Sequence, residues 1–179
     1  MRLVGEAVAE YRQGGAGSVD EVPDIKVEVP IDAHIPHDYV AEERLRLEAY
    51  KRLAAAVTEA DVAGVLEELT DRYGQVPEPV ANLLAVARLR IHARTAGVSE
   101  IVAQGNFLRF APVELADSRA MRLARLYPGS LVKPATRTIL VPRPMTAKVG
   151  GQPVRDTELL DWLRDLIDAV LLETVPALT

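Results

Sequence analysis

Apolar residues recur at helical spacing through the first half of the chain and at strand spacing through much of the second, with the change of period just past Gly97. Ahead of the helical half, Ile25-Lys26-Val27-Glu28-Val29 alternates apolar and charged residues between Pro23 and Pro30, the pattern of a half-buried strand. A first helix is predicted from about Val40 to Val57, with Leu45, Ala49, Leu53 and Ala56 on one stripe and the pairs Glu42–Arg46 and Glu48–Arg52 on the other side. Thr58, with Asp61 three residues on, forms a capping-box signal for the second helix. Val62, Val65, Leu66, Leu69 and Tyr73 then make its stripe before Gly74 ends it. The third starts near Pro77, repeats the spacing at Val80, Leu83, Leu84, Ala87 and Ile91, and closes with Arg90, His92 and Arg94 ahead of Gly97.

Past Gly97, the runs Glu100–Ala103 and Phe107–Phe110 flank Gly105-Asn106, a short hairpin signal. A helix from about Asp117 to Tyr127 stops at Pro128-Gly129, and Leu131–Lys133 with Thr138–Val141 form a second candidate hairpin around Pro134. Asp156 is expected to cap a final helix that places Leu159, Trp162, Leu163, Leu166 and Val170 on one face. The fold class is therefore α+β: a three-helix N-terminal half packed on a small mixed or antiparallel sheet of about five strands, with a C-terminal helix laid across it. At the other end, residues 3–12 read as helix without a start signal and residues 13–18 as linker, which suggests a piece cut from a longer chain.

Composition narrows the chemistry. With 179 residues, 49% of them hydrophobic, the chain can bury one sizeable core plus an appendage. It has no cysteine, which removes disulfides, thiolate metal sites and a cysteine nucleophile together and suits a reducing, cytoplasmic setting. No apolar run approaches the ~20 residues of a membrane-spanning helix, so no membrane partner is expected. The net charge of -5 hides a division: 8 basic against 17 acidic residues through Val80, then 11 against 3 through Lys148, then 2 against 6 to the end. An acidic chain disfavours a dedicated nucleic-acid binder, yet its middle is basic.

No phosphate-cradling loop and no dinucleotide fingerprint is present, so no nucleotide cofactor is expected, and no other cofactor either. His92 has no acid near it in sequence, which leaves a catalytic triad unsupported, and no catalytic residue is assigned. Asp32, His34, His37 and Asp38 offer metal-like chemistry, but Pro36 breaks the helical spacing that puts two imidazoles on one ion. That stretch reads as a polar loop, and no metal site is assigned. Arg119, Arg122, Arg125 and Arg143, in the basic middle, could contact nucleic-acid phosphates. Against that, aromatic residues total only 4%, so stacking platforms are scarce.

On the second helix an inward apolar stripe sends Glu67, Glu68 and Asp71 outward, with Glu68 and Asp71 about one turn apart. The two could grip one basic surface together. Spacing alone favours the plainer alternative, in which Glu68 pairs with Arg72 at i,i+4 while Asp71 is solvated.

Three ordered blocks bear on that choice: Ala33–Val40 (AHIPHDYV), Arg44–Leu53 (RLRLEAYKRL) and Glu68–Gly74 (ELTDRYG), continued by Pro77–Val80 and Leu83–Arg90. In order and spacing they resemble the I-P-D-D-Y-I, R-L-x-x-Y-K-R-I/L and E-L-x-D-R-F-G blocks of the bacterial transcription-repair coupling factors, the Mfd family. The resemblance covers residues 22–179 as that family's C-terminal regulatory domain, while residues 1–21 resemble the trailing helix of its DNA-translocase motor and a linker. It implies a non-catalytic, autoinhibitory module of a protein that couples transcription to nucleotide excision repair. Such a module docks on the parent's N-terminal UvrB-like region, masks the surface that recruits UvrA and restrains the motor, with RNA polymerase and DNA acting through the parent. The family's docking acids carry over to Glu68 and Asp71, flanked by Glu67 and Arg72. This chain departs from the pattern at His34, His37, Thr70 and Tyr73, none of them in the acidic pair. The alternative is a DNA-binding accessory that uses Arg119, Arg122, Arg125 and Arg143.

Overall fold

The computed structural model describes residues 25–172, so the helix and linker expected at residues 3–18 and the boundary at residue 21 lie outside the described residues. The alternating segment is a strand, β1 (Lys26–Glu28), and three helices follow: α1 (Glu43–Ala55), α2 (Glu59–Tyr73) and α3 (Glu78–Thr95). α1 is shorter than its predicted span. Val40 lies in a turn ahead of it, only 1% exposed. Arg46 Nη1 donates to the Val40 and Ala41 carbonyls at 2.7 and 2.9 Å, so it closes the entry to α1 instead of pairing with Glu42.

α2 begins where the capping signal puts it. Thr58 Oγ1 accepts the Asp61 N–H at 3.1 Å, and Asp61 Oδ2 accepts the N–H groups of Val57 and Thr58 at 2.9 and 3.1 Å. Those donated bonds satisfy orphan amides at the helix entry and hold the Asp61 carboxyl below its ordinary pKa, the Val57 bond contributing most. The helix ends at Gly74, whose φ of +91° is open to glycine at little cost.

α3 is the element the whole domain shares. One of its faces gives Val80, Leu84 and Ala87 to a core with Leu53, Val62, Val65 and Leu69 of α1 and α2. Its other face gives Val86, Leu89 and Ala93 to a second core against the sheet. The predicted stripe covers only the first face, because a helix buried on two sides has no single amphipathic period to read.

The second half supplies β2 (Glu100–Gln104), β3 (Phe107–Ala111), α4 (Asp117–Leu126), β4 (Leu131–Lys133), β5 (Thr138–Pro142) and α5 (Asp156–Leu166), which runs into a π-helical turn over Ile167–Leu171. The sheet is mixed and five-stranded, in the order β1-β2-β3-β5-β4, with β1 parallel to β2 and the other pairs antiparallel. Its register aligns Val27, Ile101, Phe110, Ile139 and Val132 in one row across all five strands, and Ala103, Leu108 and Val141 in the next. The row contains Ile101, Phe110 and Ile139, all fully buried beneath α3 and α5. From α5, Leu159, Leu163 and Leu166 enter this core as the spacing predicts, and Trp162 packs edge-to-face on Tyr127 at 5.4 Å.

Asp156 corrects the expected cap. Its φ is +57°, no side-chain cap closes α5, and its Oδ1 instead accepts the Asp32 N–H at 2.8 Å. Its own N–H donates to the Pro30 carbonyl at 3.2 Å. The carboxylate thus ties the start of α5 to the segment after β1, a contact across 124 residues that no local signal announces.

Candidate docking surface

The burial of Val62, Val65 and Leu69 fixes the rotation of α2 and decides which of its acids reach solvent. Glu67 and Asp71 are exposed, and Glu68 lies at the border with α1. There Glu68 meets two cations. Arg52 of α1 bonds to Oε1 through Nη1, and Arg72, one turn along α2, donates to Oε2 at 3.2 Å. The Glu68 carboxyl is accordingly held below its ordinary pKa, first by the Arg52 hydrogen bond and further by Arg72, against an opposing effect of burial. Asp71 differs: among the described residues no hydrogen bond or ion pair engages its carboxylate. Glu68 and Asp71 therefore share the outward side of α2, but only Asp71 is unoccupied. Arg72 also lies over the Tyr73 ring, 5.7 Å from its centroid.

This end of α2 is held rigidly. Tyr39 donates its hydroxyl to the Gly74 carbonyl at 2.7 Å and to that of Leu69 at 3.2 Å, and its ring packs on Tyr73 at 5.6 Å. Burial, and then the neighbouring Tyr73, push the Tyr39 hydroxyl above its ordinary pKa, so it remains a donor. Tyr50 closes the same layer by accepting the Ile35 N–H at 2.7 Å. Tyr39 of the first sequence block thus braces the helix that carries the third, and Tyr50 of the second block holds the backbone of the first.

The basic residues are dispersed. Arg119 and Arg122 of α4 donate to the Leu171 and Ala169 carbonyls at 3.3 and 3.0 Å, where they complete the end of the π-helical turn. Arg143 donates to the Gly105 carbonyl at 3.3 Å, at the β2–β3 turn, while Arg125 is exposed. In the polar loop, His34 Nδ1 is 2.9 Å from Asp32 Oδ1. Among the described residues no group of three or more His, Cys, Asp or Glu is placed to hold a metal ion, and no helix is long and apolar enough to cross a membrane.

Sequence reasoning missed Arg52 as the partner of Glu68, because it comes from another helix 16 residues away. It also missed an acid for His92, whose Nε2 is 2.6 Å from Asp168 Oδ1 across 76 residues. Among the described residues no hydroxyl hydrogen-bonds to that ring, so the pair joins α3 to the π-helical turn without forming a triad.

Comparison with known proteins bears on the whole domain. A family model described as the TRCF domain matches residues 29–123. The transcription-repair-coupling factors of Mycobacterium bovis and Mycobacterium tuberculosis are each 44% identical over 179 residues, which takes in 95% of this chain and 14% of theirs. That of Staphylococcus aureus is 33% identical over 107 residues, 60% of this chain. The chain thus spans about 14% of the length of the curated relatives from Mycobacterium. A solved C-terminal domain of a transcription-repair coupling factor shares the fold, with a TM-score of 0.65 at 18% identity over 83% of this chain and 92% of that one. By the family model over its central residues and by the Mycobacterium relatives over nearly its whole length, this chain belongs to the transcription-repair coupling factor family, whose TRCF domain it carries.

Proposed function

We propose that this domain is a non-catalytic latch in the cytoplasm: the outward side of α2 docks on a basic patch of the parent's N-terminal UvrB-like region, masks the surface that recruits UvrA and restrains the motor. RNA polymerase and DNA, acting through the parent, release it. The observation that supports this most is Asp71, an exposed carboxylate without an internal partner, set beside Glu68 on a helix capped at its start and braced at its end. In a desolvated interface, truncating one member of a charge pair costs about 2–5 kcal/mol, far more than the same pair is worth on an open surface. Docking must still be modest enough for polymerase and DNA to reverse, since a latch works only between two states that differ in their contacts.

The test is Glu68→Ala with Asp71→Ala in the full-length parent. UvrA binding and basal ATPase should both rise, and the affinity of this chain for the UvrB-like region should fall by about 30-fold or more. Unchanged UvrA binding and unchanged ATPase refute the latch. The DNA-accessory reading receives less support, because Arg119, Arg122 and Arg143 are spent on carbonyls at two separate places.

A further inference from the structure

We propose that Arg52 is an internal stand-in for the partner's cation: it occupies Glu68 in the undocked domain and must be displaced before Glu68 can be gripped. The proposal rests on the docking reading above and adds its order and its regulator. An arginine fork or a lysine that approaches α2 finds the two acids in different states. Asp71 is exposed and unengaged, so it can take a cation at once. Glu68 already has one guanidinium on each oxygen, Arg52 on Oε1 and Arg72 on Oε2. Bidentate recognition by an arginine needs both oxygens of one carboxylate, so an incoming fork must evict at least one resident.

The two residents are unequal. Arg72 stands one turn away on the same helix, at 3.2 Å, with its guanidinium partly committed to the Tyr73 ring. Arg52 crosses from α1, and among the described residues its guanidinium has no partner other than Glu68. The side chains of Arg52 and Glu68 are 46% and 42% exposed, so the pair sits at the mouth of the α1–α2 groove within reach of solvent and of a partner. An exposed pair of this kind is weak enough to exchange and strong enough to bias the competition. Docking then has two stages: Asp71 and the exposed Glu67 attract the basic patch, and Glu68 engages as Arg52 swings away. Arg52 sets the affinity without being a contact that holds the partner.

Arg52→Gln in the full 179-residue chain tests this. Binding to the UvrB-like region is expected to tighten by about two- to fivefold, the scale of one exposed ion pair. In the chain without partner, the Glu68 carboxyl pKa, followed by NMR titration, should rise in Arg52→Gln and stay low in Arg52→Lys, a readout that loss of packing alone does not produce. Weakened or unchanged affinity in Arg52→Gln, with wild type still binding and Asp71→Asn still weakening it, overturns the stand-in role alone. A Glu68 pKa that does not respond to Arg52→Gln overturns it as well. Absence of binding by wild type and every variant removes the docking reading, and this proposal with it.

Discussion

Replacing Asn82 with alanine should show how the half of the domain that carries α2 is joined to the half that carries the sheet. Asn82 lies near the start of α3 and is 3% exposed, one of two buried polar residues among those described. Its Nδ2 donates to the Asp32 carbonyl and its Oδ1 accepts from Thr157 Oγ1, both at 3.0 Å, so one side chain connects the segment after β1, the shared helix and the first turn of α5. Each bond contributes about 1 kcal/mol net, and both former partners lie near enough to solvent to be rehydrated. The expected loss is therefore about 2 kcal/mol, or roughly 4–8 °C in Tm for a domain of this size. Thr157→Val should cost about half as much. Because the two variants remove one shared bond, their combined cost should fall short of the sum by about 0.5–1 kcal/mol. The chain's single tryptophan, Trp162, reports the sheet core, while far-UV circular dichroism follows mainly the helices. Since α3 belongs to both cores, the two probes should melt together in the wild type. Asn82→Ala with a Tm within about 1 °C of wild type, or a fully additive double variant, refutes this account of the joint.

Other expected outcomes follow from the same contacts. Thr58→Ala removes the acceptor for the Asp61 N–H and should destabilise the domain by about 1 kcal/mol in urea unfolding, with the helix content of the folded state nearly unchanged. Leu163→Ala, at a position of α5 with no exposure, should cost about 2–5 kcal/mol, visible as a large fall in the urea midpoint. Asp61 and Glu68 both titrate below the ordinary carboxylate range when folded, so the unfolded chain binds their protons first. The stability they contribute is complete above the unfolded carboxylate pKa of ~4 and is lost as pH falls below that through their lower folded values. Urea midpoints measured from about pH 7 to pH 3 should therefore drop at the acid end, and Glu68→Gln should flatten part of that drop.

Much of the fold was legible because its signals are local. The Thr58–Asp61 capping box, Gly74 at the end of α2, the Gly105-Asn106 turn and the Pro134 turn each reflect residues within a few positions of one another, and α2 and the hairpins formed as those signals predict. The helical period also placed Glu67 and Asp71 outward, because burying Val62, Val65 and Leu69 leaves no other rotation. The family, too, was legible in ordered blocks along the chain, and the comparisons bear it out.

What tertiary structure alone decided are the contacts between residues distant in sequence. Period cannot reveal the second buried face of α3, since a helix apolar on two sides loses its amphipathic signal. The sheet order, with parallel β1 at the edge, follows from packing the α1–α3 crossover over the sheet, which no strand encodes by itself. Spacing on α2 pointed to Arg72 as the neighbour of Glu68, yet the helix crossing also brought Arg52, so that both oxygens of the carboxylate are engaged. Asp156 turned from its expected cap to the backbone of Asp32, and Asp168 reached His92, for the same reason. A charged side chain pairs with what lies nearest in space, and only the folded chain determines which groups those are.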